Sequence, residues 1–134
     1  MTTRRIAVTT LPVTLAEAKL HARIDASDED AVITRMIAAS CSAAEQICMR
    51  AFALSTYELK LDAFPSAEIR LDWPPVAAVS SVQYIAANES VQVLAPSAYS
   101  LDSHNAPAWL LPAYGTEWPY TIDAANAAAA RCRP

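Results

Sequence analysis

The stretch Arg70–Ile85, RLDWPPVAAVSSVQYI, decides how the chain folds. Ile69, Leu71 and Trp73 alternate with Arg70 and Asp72 up to two consecutive prolines. A second alternating run, beginning near Ser81, follows them. Alternation with period two marks half-buried strands. Proline lacks the N–H that a ladder needs, so Pro74 and Pro75 must lie between strands or at a sheet edge. Proline also fixes φ, so this connection is stiff where glycine would leave it loose. The same preference runs through all 134 residues, which include nine prolines and a single glycine, Gly115.

Upstream, the period of two continues through STYELKLDAF, where Tyr57, Leu59 and Leu61 alternate with Glu58, Lys60 and Asp62. DAFPSA reads as the turn joining this strand to the next. Downstream, SVQYIAANESVQVL reads as a hairpin turning at Ala87–Ser90, and SAYSLDS as a short strand through Tyr99 and Leu101. AWLLPAYGTEWPY is short, aromatic and interrupted by Pro112 and Pro119. The tail TIDAANAAAARCRP has alanine-driven helix propensity without an apolar stripe, so alone it is marginal as a helix.

Before Phe52 the period is 3.6. Thr14 and Glu17 have capping-box spacing for a helix ending near Asp25. Ser27 is then placed to cap a longer helix whose first turn, Asp28, Glu29 and Asp30, suits the positive end of the macrodipole. Ile33, Ile37, Ser40, Ala44 and Ile47, widened by Met36 and Cys41, form its apolar stripe to about Arg50. Helices first and strands second predict an α+β fold. In it an N-terminal helical hairpin, with one long amphipathic helix, packs on an antiparallel β-meander. The expected organisation is one domain over residues 1–134. Its helical part is about 14–50, its β part about 55–112 and its tail about 121–134.

Composition narrows the function. Charged residues are 18% of the chain, below the ~25% usual for soluble domains, which leaves surface for a partner to cover. The net charge of −4 and the absence of a Lys/Arg block argue against direct nucleic-acid binding. No apolar run reaches the roughly 20 residues of a membrane span. MTTRRIAVTT lacks the apolar core of a secretion signal, so a cytosolic origin is expected. Cys41 and Cys48 would sit about 10 Å apart on one helix, too far for a disulfide. With Cys132 they read as buried or incidental thiols.

Catalytic chemistry finds no foothold. His21 with Asp25 reads as a surface pair, and His104 with Asp102 and Asn105 as a turn. DASDED lacks the glycine of a calcium loop and is explained by the helix start. A single glycine excludes the phosphate-binding loops. No enzyme, cofactor or metal site is therefore expected.

The order of PVTLAEAKLHARID, DEDAVITRMIAAS, AEQICMRAF, TYELKLDAFP, IRLDWPPVAAVSSVQYI and SAYSLD resembles the head–tail connector (adaptor) proteins of phages and prophages, over roughly residues 10–120. The resemblance implies a non-catalytic virion protein at the head–tail junction, made in the bacterial host cytoplasm. It implies a homo-oligomeric ring of about a dozen subunits between the portal protein and a tail or stopper protein, extending the DNA channel. Related chains carry a further strand and a final apolar helix, and AANAAAARCRP offers no such helix. Trp73, Trp109 and Tyr84 are the candidate subunit or partner contacts, with Tyr84 also readable as a core aromatic. Taken without the resemblance, the residues fit a small α+β protein-binding module acting as monomer or dimer.

Overall fold

A computed structural model describes residues 1–122 and 124–133. The alternating runs form the strands they predict, but their partners are not sequential neighbours. Among the described residues there are eight strands: β1 (Thr2–Thr10), β2 (Leu54–Leu61), β3 (Ile69–Leu71), β4 (Ala78–Ile85), β5 (Val91–Leu94), β6 (Tyr99–Asp102), β7 (Ala108–Pro112) and β8 (Ala128–Arg133). They make two antiparallel sheets, ordered β1-β2-β8-β4-β5 and β3-β7-β6. Helix α1 spans Leu15–Ala22 and α2 spans Asp30–Cys48.

Helix and antiparallel strand are both present, as an α+β chain requires. The predicted arrangement, a helical hairpin with one long helix packed on a β-meander, is overturned. The helices have 8 and 19 residues, and two sheets replace the meander. Period two fixes which side chains face inward, not which strand lies alongside. Thus DAFPSA does not close a hairpin: β2 stays in the larger sheet, while β3 pairs with β7 in the smaller one. Pro74 and Pro75 occupy the connection from β3 back to β4, where the chain changes sheet. The Ala51 N–H donates to the Pro74 carbonyl at 2.9 Å, pinning that corner to the end of the helical segment.

The two sheets face each other across the core. Tyr57, Leu59 and Leu61 of β2 meet Val82 of β4, Ile69 and Leu71 of β3, and Leu110 of β7. Ala128, Ala130 and Cys132 of β8 lie among them, none more than 3% exposed. The tail read as a weak helix is thus the middle strand of the larger sheet, bonded to β2 on one side and β4 on the other. Its helix propensity is worth only tenths of a kcal/mol per residue and yields to eleven ladder partners. Alanine also leaves room between opposed sheets where leucine would not fit.

Local signals hold best. Thr14 caps α1 with its side chain on the Glu17 N–H, and Glu17 returns to the Thr14 N–H at 2.8 Å. The hairpin of β4 and β5 forms as expected, closed by the Ala86 N–H donating to the Ser90 carbonyl. Ser27 does not cap α2: the N-cap is Glu29, and the Ser27 carbonyl instead accepts from the Asp30 N–H in the preceding turn. His104 lies in a turn whose N–H donates to Asp102 at 3.0 Å.

The three thiols are free, with Cys41 and Cys132 buried and Cys48 exposed. Burial pushes the Cys132 thiol up to about 11, so little nucleophilic thiolate exists at neutral pH. A labelling time course in native buffer should give one fast thiol per chain, Cys48, with the other two released on unfolding.

Candidate assembly surface

One face of α2 builds an open apolar feature. Ile33, Met36, Ile37, Ser40, Cys41 and Ala44 recur at helical spacing and face Ala18 and Ala22 of α1, with Val13 and Phe52 at the ends. Together they line a groove of about 810 Å³. Ile33 and Ile37 are half-buried in it, while Met36 is 62% and Phe52 45% exposed. This stripe carries the pattern of a core face, yet the only buried residues of α2 are Cys41 and Glu45. Ile47, which the periodicity adds to the stripe, is 83% exposed. The sandwich core closes without the groove. A contiguous apolar surface left over after a core is complete marks an interaction site.

Glu45 fixes the groove to the sandwich. Its carboxylate accepts from the Phe52 and Ala53 N–H groups, both at 2.8 Å, and from the Arg5 guanidinium on β1. Burial pushes the Glu45 carboxyl up, but the Ala53 and Phe52 N–H groups and Arg5 outweigh it, and the group ends below the ordinary carboxylate range. One side chain thus ties α2, the start of β2 and the edge strand β1 together. Period and spacing do not reveal it, because a glutamate in a helix next to an alanine pair reads as surface.

Trp73 stacks on Tyr57 with ring centroids 5.8 Å apart and planes 9° from parallel. It is half-buried, beside a hollow lined by Arg5, Glu45 and Gln46. Its φ of 65° is left-handed, a conformation that costs a bulky residue about 1–3 kcal/mol and persists only where the surroundings impose it. Trp109 is half-buried on the outer side of the smaller sheet, opposite Arg70 and Asp102. Tyr84 packs edge-on to Phe64, which stacks on Trp118 at 5.0 Å. The Trp118 indole donates to the Ala67 carbonyl at 2.7 Å, so this trio closes the loop after β2. The three candidate aromatics therefore occupy separate places. Trp118, which the sequence hides in a proline-flanked loop, does the closing.

His21 is exposed on α1, and Asp25 lies beyond the left-handed Arg23 that ends the helix. Among the described residues, no group of three His, Cys, Asp or Glu side chains is placed to hold a metal. No described helix is long and apolar enough to cross a membrane.

No curated protein matches the chain significantly. Among solved structures, a chain from the neck of an empty GTA particle, computed with C6 symmetry, superposes with a TM-score of 0.78 at 21% identity, covering 99% of this chain and 70% of that one. A chain from the virion of a native gene transfer agent particle gives 0.75 at 19% identity, with 99% and 71% covered. At these identities the likeness is one of fold. The sequence profile of the phage gp6-like head-tail connector proteins matches residues 12–93, more than half of the chain. The chain belongs to this connector family, whose members are structural and non-catalytic.

Proposed function

We propose that the protein is a connector subunit that joins copies of itself into a ring between portal and tail, continuing the channel through which DNA passes. It acts in the virion, at the head–tail junction, after synthesis in the host cytoplasm. The observation that carries the reading is the open apolar groove on α1 and α2 beside a sandwich core already complete. A ring needs unlike surfaces that meet head to tail, and the groove supplies one of them. About a dozen copies, as in the related connectors, would close such a ring. The two GTA chains come from a neck and a virion, which supports an assembled setting. Residues 1–134 act here as one unit, since both ends of the chain pair with β2. Trp73 and Trp109, half-buried at the surface, are the proposed contacts of a neighbour or the portal; Tyr84 is the third, through the part of its ring left exposed.

A Met36→Asp/Phe52→Asp variant tests the role of the groove. Both side chains are largely exposed, so the variant should melt within a few degrees of the wild type. Its mass in solution, alone and with the portal protein, should fall to that of the monomer. Normal assembly with both charges in place would remove the groove from the interface. A wild type that stays monomeric even with its portal would favour the protein-binding-module reading.

A further inference from the structure

We infer that the solvent face of the larger sheet receives the acidic corner between α1 and α2 of the next copy. This contact rests on the ring proposed above and adds its second surface.

Cross-strand register places Arg4 opposite Glu58, Glu58 opposite Arg131, and Thr2 opposite Lys60. Directly opposed residues share a face. This one lies opposite to the core, because Tyr57, Leu59 and Cys132 alternate with them and are buried. With Arg133, opposite Ala78, the paired strand positions of the face hold four cations and one carboxylate, while Asp62, just past β2, is held by the Asn126 N–H. These paired positions carry +3 while the whole chain carries −4, which leaves −7 for everything else.

Glu58 is shared by Arg131 at 3.1 Å and Arg4 at 3.8 Å. That single carboxylate cannot balance the face, and Lys60 has no ion pair among the described residues. Between Arg4, Glu58 and Lys60 is a hollow of about 180 Å³, also lined by Thr2 and Asn126, large enough for a carboxylate side chain.

The complementary charge is concentrated at one place. Asp25, Asp28 and Glu29 are exposed at the α1–α2 corner and make no ion pair among the described residues; Asp30 is already held by Lys19 at 2.6 Å. Fifteen residues of helix separate this corner from Glu45, about 22 Å at 1.5 Å per residue. Glu45 holds Arg5, which points to the Tyr57 side of the sheet. The helices thus leave from the core side of the sheet, opposite to this face. The contact must join two copies through unlike surfaces, the geometry that closes a ring. Opposite charges at such a rim set register and encounter rate, and salt screens them.

The test is a charge exchange read by sedimentation at low and high salt, with thermal melts confirming the fold. Arg4→Glu/Lys60→Glu and Asp28→Lys/Glu29→Lys should each weaken self-association on the order of 100-fold. The quadruple variant, which restores opposite charges, should recover most of it. A wild type that assembles while either double variant assembles equally well would overturn the contact and leave the ring standing. So would a quadruple variant no better than the doubles. A wild type that remains monomeric with its portal would overturn both. Salt-dependent binding of a 30-base-pair duplex, lost in Arg4→Glu/Lys60→Glu while assembly is unchanged, would assign the face to DNA and overturn the contact.

Discussion

Deleting residues 127–134 abolishes the cooperative thermal transition. Among the described residues, strand β8 is the only bridge between β1-β2 and β4-β5. Without it the larger sheet becomes two separate two-stranded ribbons, and such ribbons are marginal in water. The deletion also strips the core of Ala127, Ala128, Ala130 and Cys132, all at 3% exposure or less. Far-UV circular dichroism with heating reads the outcome directly. A truncated chain that melts like the full one would mean the tail is an appendage. A point variant gives a graded version. Ala130→Leu inserts three carbons where β8 meets Leu59 and Val82, and overpacking of that kind costs about 1–3 kcal/mol.

Glu45→Gln should destabilise the protein by about 3 kcal/mol at neutral pH, as expected when a buried ion pair loses one partner. The amide can still accept from the Phe52 and Ala53 N–H groups, but it leaves Arg5 without its counter-ion. Glu45→Ala, which removes both, should cost more. The pH dependence has a definite sign. Because the folded carboxyl sits below its ordinary value of 4.5, its contribution is complete above that value and is lost as the pH falls through the lower, folded one. Denaturant midpoints for wild type and Glu45→Gln should therefore differ most at neutral pH and converge in acid. A constant gap across that range would show that charge is not what Glu45 contributes.

How much of this was legible in the sequence depended on distance along the chain. The Thr14–Glu17 box and the β4–β5 hairpin are local, and both could be read. The inward faces of β2 and β3 were fixed by Leu59, Leu61, Ile69 and Leu71. Pairing was not local. Nothing near Ala128 announces that residues some seventy positions earlier will flank it. β1 went unread because TTRRIAVTT is mostly exposed and lacks a clear alternation, although its threonines, isoleucine and valine favour extended chain. The site showed the same split. The α2 stripe was plain as an apolar face, but periodicity does not say whether the covering partner belongs to the same chain. Glu45 carries no signal of its own in the sequence, because its partners, Arg5 and the Phe52–Ala53 backbone, arrive from other elements.

On the proposed function, this chain works as one of many copies in a ring beneath the portal. Electron-microscopic class averages of the purified protein mixed with the portal protein of the same genome address it most directly. Closed rings coaxial with the portal are expected, with each subunit offering its α1–α2 groove to a neighbour. Portals left bare beside free monomers at high concentration would contradict it.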